Sequence, residues 1–483
     1  MRRLLICCCP AAAFAVARTI TTSSFVASIE QVQQQLQTAQ DRRTELLRYG
    51  RQLYEVEVLD DLKAAYTPAL ASKVCYVASQ LRIDATKGQP FTAVLEASMT
   101  AEGEQAMDVA SLARIVHSCL ILRSGNLHEV LFTFIPFLCE KAGMMDAVTT
   151  AVVINAYGRS GVHHPRLYKA LCDNGATVLK DPRVALAHIA NVAYAVSRVK
   201  FLHPTLMLTL RDHALRKVAE ASPIISLTVL EAFTELRQID EDLFSSYEQR
   251  LLGQLNELQA PLMASLVSCV VRAGRGRAEV MESLGVRTTA IADTFDAASI
   301  AKVTNAYYEA DIASEDVLGA LAERACKVAA DFRADEIATV LNALSSFDLF
   351  DAELFPLLAS RLVALHRQGG YVDVADAAII LSSFAAVQER NDELIYVCTQ
   401  LFATYPGVAM DPVVRVNALW ACASLNVHNE AQTNMLEEAR ATPSLVMWES
   451  KPEMLPKAKA TLKERSQFLT KVYGITFPSS SSR

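Results

Sequence analysis

Apolar residues recur every three or four positions along most of this chain, and that spacing predicts amphipathic α-helices. The segment DEIATVLNALSSFDLFDAELFPLL at 335–358 shows the pattern. Its first apolar stripe includes Ile337, Val340 and Leu344, and after a short polar break a second stripe begins at Leu354. The segment therefore predicts two helices joined by a turn. Because each helix is apolar on one face only, other helices must cover this hairpin.

The same hairpin pattern returns along the chain at intervals of 36 to 40 residues. Aligning the copies on Asn342 gives a reference column: His117, Asn155, Val192, Glu231, Cys269, Asn305, Asn342, Ser382 and Trp420. Nine residues earlier, a second column holds Asp or Ser in six of nine copies, and such side chains accept hydrogen bonds from the free amides at a helix start. This second column reads Asp108, Asp146, Arg183, Ser222, Ala260, Asp296, Arg333, Asp373 and Asp411. A weaker copy at 68–106 makes ten.

Repeats of this kind predict an all-α fold, a right-handed α-solenoid of about ten helix-turn-helix repeats with about 38 residues each. The composition agrees, because 52% of the 483 residues are hydrophobic and only 17 are Gly and 16 Pro. We expect the repeat array to span 68–442, with a charged helical cap at 30–67 and a basic helical cap at 443–473. Residues 474–483 are expected to be a disordered tail.

The first 29 residues have the composition of a targeting segment, with three Arg and no acidic residue before Glu30. Two interpretations are open. Arg2 and Arg3, followed by the apolar stretch 4–17, are typical of a secretory signal. The acid-free stretch 18–28, which is rich in Thr and Ser, is typical of a mitochondrial transit peptide.

Cysteine usage favours the mitochondrial interpretation. The chain contains no Asn-x-Ser/Thr sequon, and eight of its 11 Cys lie beyond residue 9, mostly among apolar residues and with no paired spacing. Such cysteines are typical of reduced, buried thiols rather than of a disulfide framework. We therefore predict a transit peptide at 1–29 and a location in the mitochondrial matrix, with the secretory pathway as the alternative. No segment reaches the length of a comfortable membrane span.

Sequence motifs typical of enzymes are absent. The chain has no Gly-x-x-x-x-Gly-Lys-Ser/Thr, His-Glu-x-x-His, Cys-x-x-Cys or Gly-x-Ser-x-Gly sequence. The glycines of RAGRGRAEV at 272–280 fall in a predicted turn with no strand before it. We therefore predict a protein that is not an enzyme and that needs no cofactor or metal ion.

Charge is distributed unevenly behind a net charge of −7, and the imbalance indicates two kinds of partner. Residues 151–218 contain ten Lys and Arg against three Asp and Glu, whereas 291–420 contain eight against nineteen. Cations repeated along one edge of a solenoid can follow a phosphate backbone. The candidate RNA-phosphate contacts, all within 151–290, are Arg159, Arg166, Lys169, Arg198, Lys200, Arg211, Arg216, Lys217, Arg272, Arg275 and Arg277. The alternative is that they are ordinary solvated turn charges.

Two further predictions follow from the same patterns. The acidic sector 291–420 and the terminal helices are expected to hold other protein subunits. The Asn residues of the reference column could pair with base edges, but the column also contains Val192 and Trp420 in mid-helix. We interpret these Asn side chains as structural amides that hydrogen-bond to an adjacent turn.

The repeats resemble the heptatricopeptide and octotricopeptide class of mitochondrial and plastid RNA-metabolism proteins, which is similar in style to the FAST-kinase-domain proteins. The resemblance rests on LAHIANVAYAVSRV, IAKVTNAYYEADI and IATVLNALSSFDLFDAELFPLLASRL, and it covers roughly 68–442. No RAP-like nuclease-type domain is recognisable after residue 443, which argues against RNA cleavage. The resemblance implies a scaffold that holds guide RNA or mRNA in a mitochondrial ribonucleoprotein complex for mRNA editing or processing. The alternative is a protein-interaction solenoid without direct RNA contact, such as a mitoribosome assembly or structural factor.

Overall fold

The computed structural model describes residues 19–38, 43–55, 57–58, 65–82, 89–404, 410–441, 451 and 454–475. Its regular structure is α-helical except for one short parallel pair of strands, β1 (Thr19–Ile20) and β2 (Glu57–Val58), in which Thr19 is in register with Glu57. The prediction of an all-α protein is therefore confirmed.

Ten helical hairpins follow one another along the chain, each with a first helix (A) and a second helical segment (B). The A helices are α3 (Pro68–Leu81), α6 (Val109–Leu122), α9 (Ala147–Ser160), α11 (Leu186–Arg198), α13 (Pro223–Glu235), α15 (Ala260–Arg272), α17 (Ala297–Ala310), α19 (Ala334–Ser346), α21 (Val374–Ala386) and α23 (Pro412–Ser424). The B segments are α4 (Gln89–Ser98) with α5 (Ala101–Ala106), α7 (Leu127–Thr133) with α8 (Ile135–Lys141), α10 (Pro165–Val178), α12 (Pro204–Arg216), α14 (Glu241–Gly253), α16 (Ala278–Ala290), α18 (Glu315–Lys327), α20 (Leu354–Arg367), α22 (Asp392–Thr404) and α24 (Glu430–Ala441).

The chain divides into two compact units, and each is an α-solenoid. Unit 1 comprises Met1–Arg250, and its A helices α3, α6, α9, α11 and α13 each pack on the next. Unit 2 comprises Leu251–Arg483, and α15, α17, α19, α21 and α23 pack in the same way. Consecutive hairpins bury their apolar faces on one another, which explains how single amphipathic hairpins become stable.

Helix starts fall close to the predicted column. Seven of its nine positions are N-caps, namely Asp108, Asp146, Ser222, Asp296, Arg333, Asp373 and Asp411. The Asp146 carboxylate, for example, accepts a hydrogen bond from the amide of Thr149 at 2.7 Å. All six Asp and Ser caps of the predicted column are thus confirmed. Among its three other members, Arg333 is also an N-cap, whereas α11 is capped at Ala185 rather than Arg183 and α15 at Gln259 rather than Ala260.

Every A helix ends at a residue in the left-handed region, and this residue makes the turn into the B segment. In order along the chain these left-handed residues are Arg82, Arg123, Gly161, Lys200, Arg237, Gly274, Asp311, Asp348, Gln388 and Asn426, with φ between 50° and 73°. At eight of these turns the next amide bonds back to the helix; for example, Phe201 N donates to Val196 O at 3.0 Å, and Leu349 N donates to Leu344 O at 3.0 Å. This is the Schellman end, which satisfies carbonyls that would otherwise lack partners.

A second repeated device holds six of the B helices to the starts of their own A helices. In six consecutive hairpins one polar B-helix side chain bonds the backbone carbonyl 29 residues earlier, just before the A helix. The side chains are Asn174, His213, Arg250, Arg287, Arg324 and Arg361, bonded to the carbonyl oxygens of Met145, Val184, Ala221, Leu258, Phe295 and Phe332. The four arginines recur every 37 residues, so the repeat is visible in hydrogen bonding as well as in sequence.

Two helices precede the array, α1 (Thr22–Thr38) and α2 (Arg43–Glu55), and both pack on α3. Phe25 and Ile29 of α1 are fully buried, so a packed helix begins within the range predicted as a transit peptide. Residues 1–18, and 476–483 of the predicted tail, lie outside the described residues. The transit peptide and the 30–67 cap stay predictions.

The predicted basic cap contains α25 (Pro456–Tyr473), which packs on α23 and contacts the C-terminal ends of α17 and α19. Lys457 Nζ lies 2.7 Å from Asp311 Oδ1 and 4.1 Å from the centre of the Phe347 ring. The Arg465 guanidinium lies over the Trp420 ring at 4.2 Å, and Arg465 Nη1 donates to Asn417 Oδ1 at 2.6 Å. The helix therefore lies across the A-helix face of unit 2 and covers part of it.

Candidate nucleic-acid interface

The eleven candidate phosphate contacts fall in both units and in three kinds of position. Eight belong to unit 1, and Arg272, Arg275 and Arg277 belong to unit 2. Some lie at the turns from A to B helices and are open to solvent, and some lie on B helices and are open to solvent. Others are bonded to carboxylates or carbonyls of the fold. These positions decide which side chains can reach a ligand.

The A–B turns of unit 1 carry the most accessible candidates. Arg159 lies in the last turn of α9 and stacks on the Tyr194 ring of the neighbouring hairpin at 5.7 Å. Arg198 ends α11, and Lys200 is the left-handed residue two positions later. All three cations are exposed, and within the described part of the chain neither Arg198 nor Lys200 forms an ion pair. They present positive charge directly to solvent.

Two candidates lie on α10, which follows the A–B turn after α9. Arg166 is exposed at the first turn of this helix. Lys169 Nζ lies 2.6 Å from Asp173 Oδ2, one helical turn further on, and this contact together with His203 lowers the pKa of Asp173. The pair is exposed, so it is worth little and can open for a phosphate.

Three candidates on α12 differ from these. Arg211 Nε lies 2.7 Å from Asp240 Oδ2 and its Nη1 lies 2.9 Å from Asp212, and these carboxylates raise the pKa of Arg211. Lys217 Nζ donates to Val184 O at 3.2 Å. Arg216 is exposed in the last turn of the helix. The structure thus assigns Arg211 and Lys217 contacts within the fold, and part of the positive charge counted in the sequence is neutralised there.

The three candidates in unit 2 share the turn between α15 and α16. Arg272 ends α15 and is exposed, as is Arg277 just before α16. Arg275 is only 8% exposed, so its guanidinium is part of the turn rather than of the surface. The sequence pattern correctly predicted a basic turn here and could not predict that its central arginine is buried.

Sequence reasoning missed three exposed cations that occupy the same left-handed position as Lys200. They are Arg82, Arg123 and Arg237, at the ends of α3, α6 and α13. Arg82 and Arg123 precede the predicted 151–290 range, and Arg237 lies within it but was not selected. The signal was available, because each residue directly follows the A-helix stripe of its repeat.

The corresponding position in unit 2 is acidic or neutral, as Asp311, Asp348, Gln388 and Asn426 show. Between α16 and α18 of this unit lies an open groove of about 740 Å³, lined by apolar residues such as Val286 and by the carboxylates Glu282 and Asp316. Val286 is 71% exposed. A groove with this mixture of apolar and negative groups suits a basic, apolar protein segment rather than a nucleic acid.

Among the reference-column Asn side chains, Asn305 bonds to an adjacent turn as predicted, whereas Asn155 makes no such bond to a described residue. Asn305 Nδ2 donates to Glu309 Oε1, one turn along the same helix, at 2.8 Å. Asn155 is 6% exposed, and its Oδ1 accepts no hydrogen bond from the described residues. The predicted hydrogen bond to an adjacent turn is therefore confirmed for Asn305 and wrong for Asn155.

The His, Cys, Asp and Glu side chains of the described residues form no cluster of three or more suited to metal binding. The eight cysteines described are free thiols, and burial raises the pKa of Cys172 and of Cys422 to about 12, which keeps both protonated and unreactive. None of the described helices is long and apolar enough to cross a membrane.

Comparison with curated proteins finds no significant match. The expected heptatricopeptide or FAST-kinase-domain type of repeat stays a prediction. One family model does match, described as RNA-editing substrate-binding complex 6 protein, and it covers residues 97–430, which is more than half of the chain. The chain therefore belongs to the RNA-editing substrate-binding complex 6 protein family.

Proposed function

We propose that this chain is a non-catalytic, RNA-contacting scaffold subunit of a mitochondrial ribonucleoprotein complex that acts in mRNA editing. The family description, which names an RNA-editing substrate-binding complex, supports the editing role. The observation that carries RNA contact is the exposed cationic side chains at the A–B turns of unit 1, above all Arg159, Arg198 and Lys200. The acid-free, hydroxyl-rich segment 18–28 supports a mitochondrial location.

The physical basis is electrostatic. Arg and Lys that neutralise phosphates release condensed counterions, so such binding is strong at low salt and independent of sequence. Arg159 is held by its stacking on Tyr194, so less side-chain entropy is lost when it binds. Bases would then be read by other subunits or by pairing between RNA strands.

A second function class has its own support, a protein-interaction solenoid without direct RNA contact. Arg211, Lys217 and Arg275 are engaged or buried within the fold, which reduces the charge available to RNA. The acidic groove between α16 and α18 favours a protein partner. In our proposal both features coexist: unit 1 contacts RNA and unit 2 holds protein subunits.

Binding of a fluorescent single-stranded RNA by the full purified chain at low salt tests this proposal. The variant Arg166→Gln, Arg198→Gln, Lys200→Gly removes three exposed cations at two neighbouring A–B turns, and we expect about tenfold weaker binding or more. Lys180→Gln is the matched control, because Lys180 is exposed but lies after α10, at the opposite end of that helix from Arg166. Absence of RNA binding by the unaltered chain would leave the protein-interaction alternative.

A further inference from the structure

The ten left-handed turn residues provide a comparison inside one molecule. They share one backbone geometry, yet four of the five in unit 1 are Arg or Lys, and in unit 2 none is. We propose that the left-handed turn residues Arg82, Arg123, Lys200 and Arg237 form a phosphate-binding track with one cation per repeat. At the remaining turn of unit 1, where the left-handed residue is Gly161, the cation is Arg159. This inference rests on the proposed RNA contact and extends it N-terminally to residue 82.

The fold itself does not require a cation at this position. Gly161 and Gly274 occupy it with no side chain, and Gln388 and Asn426 occupy it with neutral ones. Cations do interact favourably with the carboxyl end of a helix, but Asp311 and Asp348 show that the opposite charge is also tolerated there. Moreover, Arg and Lys are costly in the left-handed region, where glycine is preferred by about 1 kcal/mol. Their recurrence in unit 1 alone therefore points to a ligand.

The surroundings leave these cations available. Arg82, Arg123, Lys200 and Arg237 are all exposed, and none forms an ion pair with a residue that the structure describes. Within the described residues of these five turns, the one carboxylate is Asp240, which already holds Arg211 at 2.7 Å. Four of these turns therefore hold a cation and no described carboxylate, whereas the Arg237 turn holds both.

Spacing and chemistry identify the ligand class. Adjacent A helices pack about 8–10 Å apart, so successive turns place one cation at each such step. A row of point charges at regular intervals fits the backbone of an extended single-stranded nucleic acid, and it reads no base edge. The track should therefore bind single-stranded RNA without sequence preference.

The left-handed geometry also supplies a clean test. In the full-length variant Arg82→Gly, Arg123→Gly, Arg237→Gly, each cation is replaced by the residue type that this backbone prefers. We expect binding of fluorescent single-stranded RNA to weaken at least tenfold. The slope of log affinity against log salt should fall in magnitude by about 2, since each lost phosphate contact contributes about 0.7. The loss should be equal for a homopolymer and for a mixed sequence.

Two controls separate charge from backbone effects. Gln388→Gly makes the same backbone change in unit 2 with no change in charge, and it should leave affinity and slope unaltered. Thermal unfolding should show that the triple variant is folded, and if it is not, Asn, which occupies position 426, replaces Gly at the three sites. An unchanged slope in a chain that binds RNA would refute the track while leaving the proposed function intact. A chain that binds no RNA would overturn both.

Discussion

His213 has an unusual environment for a single residue, because both ring nitrogens face backbone carbonyl oxygens. Nδ1 lies 3.1 Å from Leu179 O and Nε2 lies 3.1 Å from Val184 O. A neutral imidazole can donate to only one of them. Burial nevertheless lowers the pKa of His213, and the neighbouring Arg216 and Lys217 lower it further, so the ring is neutral in the folded state at neutral pH.

This gives a prediction about stability and pH. The folded-state pKa lies below the unfolded value of about 6.5, so as the pH falls the unfolded chain takes up the proton first. Stability is therefore fully present above the unfolded pKa and is lost as the pH falls below it. In His213→Asn this loss of stability should disappear, because the Asn side chain does not titrate. Asn174 makes the equivalent bond in the preceding hairpin, so Asn fits this position. Urea unfolding of the unaltered chain and of His213→Asn between pH 7.5 and 5 measures this pH-dependent loss of stability. Identical pH profiles would contradict its assignment to His213.

At this scale the sequence predicted less than the structure shows. The period placed Asn155 and Asn305 correctly in mid-helix, but it could not tell that one amide oxygen would be buried without a partner and the other side chain would bond to Glu309. Such contacts depend on side-chain direction and on neighbours distant in sequence. The same holds for Arg275, whose burial follows from the fold of the turn and not from its basic composition.

Among the elements, six B helices share the repeated bond to the carbonyl that precedes their own A helix. Arg324 Nε donates to Phe295 O at 2.9 Å from a half-buried position. Arg324→Ala leaves that carbonyl without its charged partner, so we expect the free energy of unfolding to fall by about 1.5–3 kcal/mol. Lys327→Ala is the matched control on the same helix. It removes only an exposed pair with Asp293, which costs less than about 1 kcal/mol.

Chemical denaturation of the two variants and the unaltered chain decides between these values. Equal losses for Arg324→Ala and Lys327→Ala would show that the bond to Phe295 O contributes nothing beyond an ordinary surface charge. The period of 37 residues linking Arg250, Arg287, Arg324 and Arg361 was present in the sequence. It was not recognised there because a solvated arginine and an arginine that bonds a carbonyl look alike without the fold.

The C-terminal helix α25 gives a second prediction at the scale of elements. Arg465 lies over Trp420 and bonds Asn417, and its burial lowers the pKa of the guanidinium to about 10. Arg465→Ala removes the stacking and the hydrogen bond, so the attachment of α25 should weaken by about 2 kcal/mol or more.

Fluorescence can report that change, since Trp420 is one of only two Trp in the chain. We expect a red-shifted emission in Arg465→Ala, with Trp448→Phe in the background to isolate the signal. Lys459→Ala, on the same helix, should leave the emission unchanged. The helical pattern of 456–473 is plain in the sequence, but its place across α17, α19 and α23 is not, because the contacts join segments up to 146 residues apart.

For the molecule as a whole, the two units divide the charge between them. The sequence predicted the all-α repeats, a basic sector at 151–290 and an acidic sector at 291–420, but not that the basic sector crosses the boundary between the units at residue 250. The structure adds the position at which the charge of the two units differs. This position is the left-handed turn residue, which includes Arg and Lys in unit 1 and Asp, Gln and Asn in unit 2. If unit 1 contacts RNA and unit 2 holds proteins, the two activities should be separable by mutation.

Charge reversal in unit 2 tests this separation. Asp348→Lys places lysine in a geometry that already accepts it at Lys200, and Glu282→Lys reverses an exposed carboxylate of the groove between α16 and α18. We expect the tagged double variant to lose co-purifying protein subunits at least fivefold, because like charges repel a basic partner segment. Its affinity for single-stranded RNA, measured on the purified chain, should not fall.

The variant Arg82→Gly, Arg123→Gly, Arg237→Gly should show the reverse, with protein subunits retained and RNA lost. Loss of both by either variant would mean that the two surfaces act as one.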